Sequence, residues 1–326
     1  MIRRLPRPAG TTLGIAIAAL LTLGGFSGSA AAQPRDVEVG AFVSSLADIN
    51  PSDGSFRVVL YAWFNDPAGR FNVERDLDII ARTASIDAIE TEPAPGGGSY
   101  TYARIEAEIP QEFAHRHFPF DRQRLTVRME ASETVSDLRF VPDHEDTGAS
   151  DYFPLFGWTL DGVSIDVQEH AYDSGFGYWT GRGAGYSQVQ LSLDVSRERS
   201  PVLIDDFLGF VFAFMITSLT FLVSATELGL RIGMNTGALF AAVVNLNRLH
   251  ESAGFRPEFG LVDRLAFLIF GAIVCSLIIA ITTHRFAKRG GADRVNRIDS
   301  AVGAAMVLSF GVLIALTLRG SLNVAA

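Results

Sequence analysis

Apolar and polar residues alternate with period two in several stretches before Pro201, and that period marks strands with one buried face. Phe56–Phe64 is rich in β-branched and aromatic residues, while Tyr102–Ile109, Arg124–Met129 and Tyr186–Val195 alternate. Turn-forming clusters separate them at Pro51-Ser52-Asp53-Gly54, between Pro93 and Gly98, and among the glycines from Gly175 to Gly185. Short strands at this spacing, with no helical pattern between them, predict an antiparallel β-sandwich or barrel.

The pattern changes at Pro201. Apolar runs follow at 203–223, 231–249, 261–283 and 301–318. A helix rising ~1.5 Å per residue needs ~20 residues to cross ~30 Å of hydrocarbon. Three runs suit such a crossing. The second holds Asn235, Thr236, Asn245, Asn247 and Arg248, so it requires shielding from lipid by the others. One further run, Leu13–Leu23, follows Arg3, Arg4 and Arg7 and leads to Ala30-Ala31-Ala32. It is short for a span, and its flanks predict a signal peptide over 1–32. The expected organisation is that signal peptide, a β-sandwich domain at 33–200, and a transmembrane domain at 201–326 with a linker at 284–300.

Charge then orients the chain. Overall the 326 residues carry a formal charge of −9, and the 33–200 segment holds 28 acidic residues against 14 arginines. Such an acidic surface disfavours nucleic acid as a partner. The 284–300 segment is the reverse, with Arg285, Lys288, Arg289, Arg294 and Arg297 against Asp293 and Asp299. A short basic loop belongs in the cytoplasm. Four spans then put the acidic domain and the C-terminus on the opposite side, where the signal peptide independently sends that domain. One cysteine, Cys275, excludes an intrachain disulfide framework and any multi-cysteine metal site. Six histidines without ligand spacing give no metal site, and no cofactor motif is present. Nor is there a Ser-His-Asp spacing or a phosphate loop, so the chain is not expected to be an enzyme.

On a helical wheel of the second run, Gly233, Thr236, Val244, Asn247 and Glu251 all fall within about 40° of Phe240. Copied around an axis, this stripe would line a pore with a hydrophobic ring at mid-membrane. The opposite stripe runs Arg231, Asn235, Ala238, Ala242, Asn245 and Leu249, whose asparagines suit helix–helix hydrogen bonds. Periodicity leaves both faces open.

His117-Phe118-Pro119-Phe120-Asp121-Arg122-Gln123 is similar to the Phe-Pro-Phe-Asp-x-Gln core of the Cys-loop, or pro-loop, of pentameric ligand-gated ion channels. Val37–Val43 through Phe56–Trp63 resembles that family's first two strands, and Gly157-Trp158-Thr159-Leu160 a later one. Arg199-Ser200-Pro201 resembles its arginine before the first span. Gln111 and Leu125 stand where animal receptors have the loop cysteines, and the linker is short, as in the prokaryotic branch. The resemblance covers nearly the whole mature chain. It implies an all-β immunoglobulin-like sandwich in the periplasm plus a four-helix transmembrane bundle. It also implies a homopentamer in the inner membrane, opened by a small-molecule ligand or protons and passing monovalent ions through the lipid bilayer.

Site residues follow from the resemblance. Phe118, Pro119 and Phe120 would form an apolar knob pressing on the loop around Pro257, with Asp121 paired to Arg199. Tyr172, Tyr178, Trp179 and Tyr186 lie on the hairpin that closes over agonists in this family, and Tyr61 and Trp63 are candidates for the opposite wall. Glu130-Ala131-Ser132-Glu133 lacks the aromatic residue many relatives carry there, which makes Glu130 or Glu133 candidates for serving a cation directly. Arg231 at the start of the pore helix selects the Phe240 face. Phe240 then replaces the usual gate leucine, and Glu227 and Glu251 would form carboxylate rings favouring cations. Val211 stands where the first span usually has proline. An alternative is a non-conducting periplasmic ligand-binding receptor that retains the channel architecture.

Overall fold

The period-two stretches become long strands because each alternate side chain has a core to enter. The computed structural model describes residues 34–324 apart from His117, 178–182, 254–258 and Gly291, so the expected signal peptide lies outside the described residues. Strands β1 (Arg35–Asn50), β2 (Ser55–Asp66), β4 (Thr83–Pro93), β5 (Ser99–Pro110), β7 (Leu138–Pro142) and β8 (Gly148–Ala149) make one sheet, in order β4-β5-β2-β1-β7 with β8 on β1. The second sheet has the order β3 (Leu77–Ile79), β6 (Arg122–Thr134), β10 (Gly185–Arg197), β9 (Trp158–Ala171). Their inner faces meet in one core that includes Val39, Phe56, Leu60, Ile105, Met129, Phe140 and Leu191.

Two expectations about the fold class need correction. The first sheet is mixed rather than antiparallel, since β7 and β8 both run parallel to β1. β1 is therefore flanked by β2 on one side and by a distant segment on the other, which no local pattern encodes.

The second correction concerns the membrane. Four helices do follow the sandwich: α1 (Arg199–Leu219, extended by a 3-10 turn at Thr220–Leu222), α2 (Leu228–Ala253), α3 (Leu261–Ala287) and α4 (Ala292–Val324). Among the described residues only two stretches, Leu261–Ala287 and Asp293–Ser321, are long and apolar enough to cross a membrane. The described apolar part of the first helix, Phe207–Leu222, is shorter than that. α2 fails on composition, because its asparagines, arginines and Glu251 lower its hydropathy. The expected four-helix transmembrane bundle is thus replaced by a helical domain with two membrane-length helices. The expected 284–300 linker is mostly helix too, with α3 running to Ala287 and α4 beginning at Ala292.

α2 packs between α1 and α3, and α4 packs against α3. Small residues permit the close approach of α1 and α2: a Cβ on Gly209 would stand 2.5 Å from the Asn245 Oδ1. The core of this domain includes Phe210, Ala238, Ala242, Leu249, Leu265 and Ile269, and two residues of the sandwich, Phe118 and Phe120, belong to it. That shared core ties the two halves of the chain together.

Candidate functional site

Three places collect the residues singled out in the sequence. The first lies at the hairpin end of the second sheet. Register sets Glu130 on β6 opposite Gln188 on β10 and opposite Asp78 on β3, while Tyr186 on β10 faces His170 on β9. The Tyr172 hydroxyl donates to Glu130 Oε1 at 2.7 Å. Gln188 Nε2 donates to Oε2 at 2.9 Å, and His170 Nδ1 shares a hydrogen bond with the same oxygen at 3.0 Å. Glu130 is buried. No arginine or lysine pairs with it among the described residues; its partners are the phenol, the amide and the imidazole, the last a counter-ion whenever it is protonated.

Rings close over this carboxylate. Tyr172 meets Tyr186 edge-on at 5.8 Å between centroids, Phe176 at 5.2 Å and His170 at 4.3 Å. Burial, and then the bond to Glu130, push the Tyr172 phenol up to about 12. A ring cluster around a carboxylate without an arginine or lysine partner is suited to an organic cation, which would gain both cation–π attraction and Coulomb energy.

The structure thus brings Tyr172, Tyr186 and Glu130 together, and adds His170, Phe176 and Gln188, which the sequence reading missed. Period two offered a signal for His170, which sits two residues before Tyr172. Tyr178 and Trp179 lie outside the described residues. Glu133 is not part of this cluster; its carboxylate lies 3.6 Å from Arg35. Tyr61 and Trp63 stand on the other sheet, so within one chain they form no wall opposite Tyr172. Trp63 donates its indole N–H to Asp143 at 3.1 Å and lies across Gly40, where a Cβ would come within 2.3 Å of the ring.

The second place is the junction. Phe118 and Phe120 are buried against the helices, Pro119 following a cis peptide bond. Asp121 is buried, and its ion-pair partner among the described residues is Arg197 rather than the expected Arg199: Arg197 Nε donates to Oδ1 at 3.0 Å. The Arg199 side chain is outside the described residues. The Arg197 guanidinium also lies 4.2 Å from the Trp158 ring centroid and 4.9 Å from that of Phe118. Gln123 completes the arrangement, donating to Asp121 at 2.7 Å and clasping the backbone of Ala114 through both ends of its amide. Pro257, the expected target of the knob, lies outside the described residues. Just beyond it, the Leu261 N–H donates to the Arg116 carbonyl at 3.2 Å, joining the loop to the start of α3. A second link runs from the Ser52 hydroxyl to the Glu251 carbonyl at the end of α2.

The third place is α2. Arg231, Asn235, Ala238, Ala242, Asn245 and Leu249 are all buried, and Arg231 is wholly so. Its guanidinium reaches Asp299 Oδ2 at 3.0 Å and Thr283 Oγ1 at 3.3 Å, beside the Phe221 ring. A buried charge of this kind fixes the rotation of the helix. The opposite edge is left uncovered: Gly233, Thr236, Phe240, Val244, Asn247 and Glu251 are exposed, Phe240 by 71% and Val244 by 63%. Glu227 is exposed one residue before α2, away from that edge. Arg248 lies on the flank toward α1, beside Leu208 and Phe212. Among the described residues no cluster of three or more histidine, cysteine or acidic side chains suits a metal ion.

Compared with protein-family models and with curated proteins, the chain matches none.

Proposed function

We propose that the chain is the subunit of a homopentameric ligand-gated channel of the bacterial inner membrane, with the sandwich and C-terminus in the periplasm, selective for monovalent cations. The observation that carries this reading is the exposed Phe240 edge of α2. A helix too polar for lipid, pinned by a buried arginine on one side and bare on the other, suits a position around shared water. Copies arranged in a ring would set Phe240 against Phe240, a constriction that closes by dewetting. Glu251 at the sandwich end of that edge would hold cations near the mouth.

The cluster of Tyr172, Tyr186 and Glu130 supplies the agonist site in this reading, with an organic ammonium ion as the fitting chemistry. Ligand closure of the hairpin would act on β10, and Arg197 with Asp121 would pass the change to the helices through Phe118 and Phe120. Ion flux into liposomes holding the purified chain tests the proposal, with amines and pH both screened. Absence of flux across that screen counts against conduction and favours the non-conducting receptor. Thiol reagents separate the two further: in a channel, Phe240→Cys and Val244→Cys react with water-soluble reagents and block flux, while Asn235→Cys and Asn245→Cys do not react.

A further inference from the structure

The α3–α4 turn carries five cations, one of which, Arg289, lies 6.0 Å from the Phe286 ring centroid. Arg285, Lys288, Arg289, Arg294 and Arg297 are all exposed, and among the described residues none of them enters an ion pair. Their setting matters more than their number. With ~100° per residue, Arg285 shares its face of α3 with Phe267, Val274 and Ile278. Those three apolar residues are exposed by 70%, 54% and 59%. Likewise Arg294 and Arg297 share the face of α4 that holds Leu308, Val312 and Leu316, exposed by 70%, 57% and 59%.

Each helix is therefore divided along its length rather than around its circumference. An uncovered apolar face of roughly 27 Å, at ~1.5 Å per residue, ends in cations on both helices at the same turn. That length is close to a ~30 Å hydrocarbon core. Acyl chains fit the long part of this surface, and an anionic headgroup fits its end.

We infer that the α3–α4 turn is a docking surface for anionic phospholipid, with Arg285, Lys288, Arg289, Arg294 and Arg297 gathering the phosphate groups. Charge complementarity chooses this occupant: a zwitterionic lipid gains no net attraction from five cations, whereas each cation near an anionic headgroup adds to the attraction. Asp293 is the acidic residue nearest in sequence to these cations, and it lies within the cationic stretch itself. Asp299 is already engaged by Arg231 and does not oppose them. This inference needs only the two membrane-length helices and is independent of channel activity.

The three native tryptophans, Trp63, Trp158 and Trp179, precede the helices, so a reporter placed at Phe286→Trp reads the turn locally against them. The full chain carrying this substitution is reconstituted in phosphatidylcholine vesicles holding a minor share of phosphatidylglycerol, with bromine on the acyl chains of one lipid or the other. Brominated phosphatidylglycerol is expected to quench the reporter about threefold more, per mole fraction, than brominated phosphatidylcholine. Replacing all five cations by glutamine abolishes the difference, and replacing the four arginines by lysine keeps it. Equal quenching by the two lipids overturns the inference, as does a preference that survives the glutamine variant. Loss of the preference on adding millimolar inorganic phosphate assigns a free-anion site instead and equally overturns the lipid reading.

Discussion

Removing the carboxylate of Asp299 tests whether the buried edge of α2 is held by charge. In Asp299→Asn the fold keeps its shape at residue 299, but Arg231 loses its counter-ion. Both side chains are almost wholly buried, at 0% and 2% exposure, and Arg231 Nη2 stands 3.0 and 3.1 Å from the two carboxylate oxygens. Thr283 at 3.3 Å and the Phe221 ring remain, and neither carries charge. An uncompensated buried cation of this kind costs about 3–5 kcal/mol. Replacing both residues by apolar ones of similar volume, Arg231→Met with Asp299→Leu, removes the charge along with its partner and should fall within ~1 kcal/mol of the parent. Titration of the detergent-solubilised chain with sodium dodecyl sulfate, followed by helical circular dichroism, reads both. A loss below ~1 kcal/mol in Asp299→Asn would refute the argument that this charge pins α2. So would a double variant as weak as the single one, since the damage would then come from packing.

Other expectations concern the sandwich and the junction. Glu130→Gln keeps the shape of the hairpin cluster and removes its charge, so affinity for an organic ammonium measured by calorimetry should fall at least about tenfold, while Tyr172→Phe should lose less. The Tyr172 phenol is raised from 10.0 to about 12. Its contribution to stability is present below pH ~10 and is lost as pH rises through ~12, which alkaline unfolding of the parent and Tyr172→Phe should show. Arg197→Gln removes the partner of buried Asp121 and both ring contacts, and should lower stability by about 2–4 kcal/mol, whereas Arg199→Gln should not match it in a parallel melt. Gly40→Ala drives a methyl into the Trp63 ring at 2.3 Å. The cost of such overpacking is about 1–3 kcal/mol, visible as a changed tryptophan emission as well as reduced stability.

How far the sequence led depended on whether a feature is local. A helical period of 3.6 leaves two candidate faces on α2, and burial of Arg231 through Leu249 shows which of them the chain itself covers. Tyr172 and Tyr186 were legible as arms of a glycine-rich hairpin. Glu130 was noticed for standing where an aromatic was missing, yet its partners His170 and Gln188 come from strands, and Tyr172 from just beyond one, whose register no local pattern reveals. The same limit explains Arg197. Its pairing opposite Trp158 brings it over that ring and onto Asp121, whereas position in the chain alone favoured Arg199. Parallel pairing of β1 with β7 spans about a hundred residues and leaves no periodic trace. The 284–300 stretch was read as a loop from its charges, although arginine and lysine are good helix formers and continue α3 and begin α4. The second run was expected to span under the shielding of the others, but a helix with one polar buried edge falls short of the membrane-length, apolar helices of this chain.

Strand β10 carries Tyr186, its second residue, among the rings and ends with Arg197 on Asp121, and only Glu198 separates it from α1. Its 13 residues reach roughly 40 Å as one continuous strand. Adding one residue midway would turn every later side chain to the other side of the sheet and carry Arg197 off its carboxylate. Deleting two would keep the facing but shorten the strand by about 7 Å, dragging the foot of the first helix with it. The length of this strand is therefore held as tightly as the identity of the residues at its tips.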